Sequence, residues 1–205
     1  MSRLIQRYTT GERNTHWVVA IAFVLAALSG LALFHPAFFF LTHLFGGGPW
    51  TRILHPFIGV LMSLFFIAMA MRFWRLNHIT PADRQWMGRI KDVLCNRDEN
   101  LPELGKYNAG QKILFWTMVV TMPLLLLTGI AIWQPWFAPY VPVWLMRVAV
   151  VIHALSAWIL ILGIIVHVYA AIWVKGTVRA MTRGTVTEAW ARHHHRAWYR
   201  ETTGK

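Results

Sequence analysis

RVAVVIHALSAWILILGIIVHVYAAIWVK, from Arg147 to Lys175, decides the architecture. Between its ends it holds no acid, and its only basic side chains are His153 and His167. A helix needs roughly 20 apolar residues to cross a ~30 Å hydrocarbon core, and this run exceeds that. An imidazole in hydrocarbon is costly unless partnered, so each histidine starts as a candidate functional group. Fourteen residues make four helical turns less ~40°, so the pair shares one face and stands ~21 Å apart along the axis, one near each membrane surface.

Working outward, three more runs of this kind lie near Thr15 to His35, Arg52 to Arg75 and Gln111 to Trp133. The whole chain of 205 residues is 57% hydrophobic and only 14% charged, against about a quarter charged in an ordinary soluble domain. The expected fold is therefore all-α: an integral membrane four-helix bundle forming one domain over residues 1–205, with spans at about 15–35, 52–75, 111–133 and 147–175 and a tail over 176–205. The single cysteine, Cys95, excludes an intrachain disulfide framework and any four-thiolate zinc or iron–sulfur site in this chain.

The net charge of +12 raises nucleic acid as a partner, but its distribution argues for topology. Lysine and arginine gather before the first span, between Arg72 and Lys112, and from Lys175 onward, whereas Pro36–Thr51 and Gln134–Met146 have none. The positive-inside rule then places both termini and the middle loop in the cytoplasm, and nucleic acid drops out. Tryptophans such as Trp17, Trp50, Trp74, Trp133 and Trp173 fall near span ends, as headgroup-level rings do. Arg3, Arg7 and Arg13 before an apolar stretch also suit a signal peptide, but the stretch is long for one. In the middle loop, Trp86, Ile90, Val93 and Leu94 recur at helical spacing opposite Arg84, Arg89, Lys91 and Asp92, which predicts a helix lying on the inner membrane surface. Asn96 to Gly105 reads as a polar loop.

Four of the ten histidines lie within or at the ends of the spans. His16 enters from the cytoplasmic side level with His167, and His55 begins its span on the outer side level with His153. They sort into two layers of two. Two imidazoles facing each other with no carboxylate or cysteine at their depth suit axial ligation of a haem iron better than zinc, which takes four ligands; a zinc site or a proton relay stays open. Ala20, Gly59, Ala157 and Ala171 follow each histidine by four residues on the same face, leaving room for a porphyrin. The third span has no histidine, and its Pro123, Thr128 and Gly129 read as packing or kink positions, with a role beside a cofactor left open. Arg13 and Arg52 each stand three residues before a proposed ligand and are candidates for haem propionates, with topology or lipid contact an equal alternative. His35, His43 and His78 read as interfacial, and His193, His194 and His195 as part of a cationic surface tail.

The segments Glu12-Arg13-Asn14-Thr15-His16-Trp17, Arg52-Ile53-Leu54-His55-Pro56-Phe57, Tyr107-Asn108-Ala109-Gly110-Gln111-Lys112 and Trp173-Val174-Lys175-Gly176 together resemble the cytochrome b (gamma) subunit of respiratory formate dehydrogenase. The resemblance runs from about residue 7 to residue 201. It implies a subunit of the bacterial inner membrane with two haem b groups, His55 paired with His153 and His16 with His167. Such a subunit anchors an iron–sulfur (beta) subunit and a molybdenum or tungsten catalytic (alpha) subunit, within a complex that can form a higher-order oligomer. It also implies quinone, menaquinone or ubiquinone, bound at Asn108, Gly110, Gln111 and the second ring nitrogen of His167; the alternative reading of Tyr107 to Lys112 is an interfacial entry to the third helix with Asn108 as its N-cap. Formate oxidation would then belong to a partner and quinone reduction to this chain. The cytochrome b subunit of a hydrogenase or another molybdoenzyme, and a haem-free anchor or transporter, are the competing expectations.

Overall fold

The computed structural model describes residues 3–95, 97 and 101–204. Four long helices dominate: α1 (Thr10–Phe34), α2 (Gly48–Phe73), α5 (Ala109–Ala131) and α6 (Val143–Trp173). Each is long and apolar enough to cross a membrane, α2 being prolonged to Asn77 by a 3₁₀ turn. The short helices are α3 (Pro81–Gly88) and α4 (Ile90–Leu94) in the middle loop, and α7 (Thr177–Arg183), α8 (Glu188–His194) and α9 (Arg196–Thr203) in the tail. Of the expected loop over Asn96 to Gly105, positions 96 and 98–100 lie outside the described residues.

Contacts divide the chain into two compact units. One contains Asn14–Ala70 and Thr117–Ile165, the middle stretches of all four long helices. Its packing inverts that of a soluble bundle. Ala22, Ala26, Ser29 and Ala32 of α1 are buried at helical spacing, as are Ala149 and Ser156 of α6, while Ile21, Val24, Leu64, Leu127, Leu162 and Ile165 stand exposed. Small residues let backbones approach, and the large apolar ones face what in a membrane is lipid.

The second unit takes the chain up to Arg13, Met71–Trp116 and the part from Val166 onward. The chain is mostly helical, as expected, with one small addition: β1 (Leu4–Gln6) pairs antiparallel with β2 (Thr185–Thr187), with Ile5 opposite Val186 and both buried. Three-residue strands about 180 residues apart have too short a pattern to register as period-two alternation. The tail is likewise no loose cationic surface. His195 is buried, its Nδ1–H donating to the Gly105 carbonyl at 2.7 Å and its Nε2 accepting from Arg7 at 3.3 Å. The Arg7 guanidinium lies over both Trp190 and Trp198, 5.0 and 4.8 Å from their ring centroids. This cation–π stack fastens the amino-terminal strand to α8 and α9.

The single amphipathic helix expected in the middle loop is broken at Arg89. Trp86 is buried with Leu104 and Ala109, with Val93 and Leu101 packed against them, whereas Ile90 and Leu94 stay exposed. The α3 start is a full capping box, Thr80 with Asp83, and Pro81 occupies the first turn.

Candidate functional site

His55 on α2 and His153 on α6 face each other, their ring centroids 6.2 Å apart at an interplanar angle of 71°. Each ring is held from behind in the same way. Ser29 Oγ of α1 lies 2.9 Å from His55 Nδ1, and Thr128 Oγ1 of α5 lies 2.9 Å from His153 Nδ1. A hydroxyl has one proton to give, and both give it to the carbonyl one turn back, Ser29 to Leu25 and Thr128 to Leu124. Each hydroxyl must therefore accept from its imidazole, which puts the ring proton on Nδ1 and leaves the Nε2 lone pair bare. That is the tautomer a metal-ligating histidine needs.

The next residue on each supporting helix is a glycine against which the ring rests. A Cβ on Gly30 would come within 3.2 Å of His55 Cε1, and one on Gly129 within 3.3 Å of His153 Cε1. Gly59, one turn beyond His55, opens onto space with nothing within 4 Å of a Cβ placed there. Imidazole radii of ~1.1 Å and metal–nitrogen bonds of ~2.0 Å on either side span ~6.2 Å, so the couple has the separation one shared metal atom requires. Among the described residues no group of three or more His, Cys, Asp or Glu side chains is arranged to hold a metal ion, so a zinc site finds no third ligand. The couple fits a haem iron, which His55 and His153 would hold.

His16 on α1 and His167 on α6 are both half-buried, and His16 makes an edge contact with Trp17. They belong to different units. Arg13 donates from Nη1 to the Thr182 carbonyl at 2.7 Å and from Nη2 to Thr10 Oγ1, while its buried Nε has no partner among the described residues. Arg52 is exposed at a cleft of about 560 Å³ that Phe39, Ile53, Phe57, Trp133 and Trp136 help to line. His35, His43 and His78 are exposed, as the sequence suggests.

Asn108 and Gln111 form a reciprocal cap at the start of α5. Gln111 N–H donates to Asn108 Oδ1 at 2.9 Å, and Asn108 N–H donates to Gln111 Oε1 at 3.0 Å. Gly110 is exposed between them. The next residue, Lys112, is buried and donates to Asp83 Oδ2 at 2.6 Å and to the His78 carbonyl at 3.0 Å. Burial pushes the Asp83 carboxyl up, but Lys112 and the Thr80 donors outweigh it and hold the group below the ordinary carboxylate range. Sequence reasoning missed Ser29, Gly30 and Asp83 altogether. Ser29-Gly30 and Thr128-Gly129 are the same hydroxyl–glycine dipeptide, each opposite a histidine, and that repetition was the available signal.

Residues 7–184 match the family described as prokaryotic cytochrome b561. The chain is 46% identical to the cytochrome b556(fdo) subunit of formate dehydrogenase from Escherichia coli, over 96% of this chain and 92% of that one. It is 42% identical to the nitrate-inducible cytochrome b556(Fdn) subunit from the same organism, over 98% and 92%. With the formate dehydrogenase cytochrome b556 subunit of Haemophilus influenzae the identity is 41%, over 96% and 83%.

Proposed function

This chain belongs to the prokaryotic cytochrome b561 family, and from that membership we propose that it is the dihaem membrane subunit of a formate dehydrogenase complex. In this reading it anchors an iron–sulfur subunit and a molybdenum or tungsten catalytic subunit to a bacterial inner membrane, and passes their electrons across it to menaquinone or ubiquinone. Both termini and the middle loop face the cytoplasm, following the lysine and arginine bias. The observation that carries the proposal is the His55–His153 couple, two imidazoles one metal atom's width apart, each fixed in the ligating tautomer by a hydroxyl and a glycine.

From the sequence and the family resemblance, His16 and His167 are the ligands we propose for the second haem. The helical rise places His167 ~21 Å along α6 from His153. Bound haem supplies one-electron redox chemistry at a potential tuned by ligation, burial and hydrogen bonding. The chain's own residues hold, orient and insulate: Ser29 and Thr128 set the ring protons, Gly30, Gly59 and Gly129 keep space beside the rings, and the buried Nε of Arg13 offers a donor to a propionate. Arg52 serves the outer propionates. Asn108, Gly110, Gln111 and the second ring nitrogen of His167 receive the quinone, whose reduction draws protons from the cytoplasmic side.

The test is a haem count on the purified protein with whatever subunits accompany it. Two haem b per chain in the reduced-minus-oxidised spectrum are expected, and one in His153→Ala. Two intact haems in that variant would refute the ligand assignment, and no b-type bands in the parent would refute electron transfer.

A further inference from the structure

We propose that the Asp83–Lys112 ion pair is the positioning element of the quinone site: it fixes the Asn108–Gln111 turn so that two side-chain NH2 groups face a quinone carbonyl. This deepens the quinone reading of Asn108, Gly110 and Gln111 and rests on it. The reciprocal cap turns both amide oxygens onto backbone N–H groups, one bond each, and leaves both NH2 groups to donate. Neither NH2 has a protein partner among the described residues. Quinone carbonyls only accept hydrogen bonds, so the cap selects a ligand of that class.

Such selection requires the turn to stay put at the mouth of an exposed glycine, and a set of contacts holds it. Lys112 N–H bonds the Asn108 carbonyl, which ties the lysine to the cap. Its ammonium is pinned between Asp83 and the His78 carbonyl. One turn on, Trp116 Nε1 donates to the Asn77 carbonyl at 2.8 Å. From α3, Trp86 packs behind Ala109, and its ring edge lies 3.5 Å from where a Gly110 Cβ would be. The side chains of the ion pair are 8% and 2% exposed. A pair this deep seldom stabilises a fold better than an apolar pair of similar volume, so its contribution here is geometric.

The same reasoning supplies the experiment. Asp83→Leu/Lys112→Met removes both charges and leaves an apolar pair, though it also removes Asp83's half of the α3 capping box, while Gly110→Ala adds a methyl that meets only ordinary contacts within the protein. In the complex as purified, KM and kcat for a short-chain ubiquinone are measured beside the haem-to-protein ratio and the visible spectrum. The double variant is expected to raise KM about tenfold, with haem content and spectrum unchanged and Asp83→Glu recovering most of the loss. Lys112→Arg, which keeps the charge but changes its reach, also raises KM and serves if the double variant does not assemble. Wild-type KM in both, with Asn108→Leu and Gly110→Ala impaired, overturns the positioning role alone. Wild-type KM in all four overturns the quinone site, and the positioning role with it.

Discussion

A single hydroxyl decides which nitrogen of each histidine is free. Ser29 and Thr128 donate to their own helices and so must accept from the ring, and neither an alanine nor a valine can do so. Gly30 and Gly129 are tied to the same rings by space: a methyl at either would press the imidazole closer than contacts normally allow. Gly30→Ala and Thr128→Val are each expected to weaken haem retention at the His55–His153 couple by ~10–100-fold, the range for loss of a supporting partner. The haem-to-protein ratio during dilution or competition checks this, with the second haem retained. The histidines themselves were legible because an imidazole in an apolar run is conspicuous. Ser29 and Gly30 were not, since small residues in a membrane helix have an ordinary packing role.

At the scale of elements, the structure moves the helix starts. α1 begins at Thr10 and not near Thr15 because Thr9 and Glu12 cap it: Thr9 N–H donates to Glu12 Oε2 at 2.7 Å and Glu12 N–H to Thr9 Oγ1 at 3.3 Å. Thr-x-x-Glu was readable, but hydropathy alone draws the boundary where apolar residues begin. In the tail, burial and then the neighbouring Arg7 push the His195 imidazole down to about 3, so it is neutral in the folded protein at ordinary pH. Its unfolded value is ~6.5, so the stability it contributes is complete above that pH and declines as pH falls toward 3. Hydrogen exchange in α8 and α9, corrected for intrinsic rates, should accelerate between pH 7 and 4. His195→Gln, which keeps a donor for the Gly105 carbonyl but takes up no proton, should flatten that dependence. An unchanged slope in the variant would show that another group controls it.

For the molecule as a whole, the membrane reverses the usual rule of burial, and both ends of that reversal are visible in exposed Ile, Val and Leu beside buried Ala and Ser. Orientation then rests on charge outside the spans. The chain carries its own reporter, since its one cysteine, Cys95, is exposed in the middle loop. A membrane-impermeant maleimide should label Cys95 in inverted vesicles and leave it unlabelled in intact spheroplasts, as read by mass spectrometry of its peptide. Labelling from the outside would invert the topology and place the His55–His153 couple on the cytoplasmic side.

Span number followed from local sequence, and so did the proposals for sidedness and for His16, His55, His153 and His167 as ligands, because hydrocarbon punishes every charge and imidazole placed in it and so leaves few readings of a run such as Arg147 to Lys175. The strand pair joining Leu4–Gln6 to Thr185–Thr187, the burial of His195 against Arg7, the Ser29 and Thr128 supports and the Asp83–Lys112 pair were decided only by tertiary structure. Each joins segments far apart in the chain, outside the reach of a periodicity or a cap. Such contacts exist only once packing has brought the partners together and excluded the water that would otherwise satisfy them.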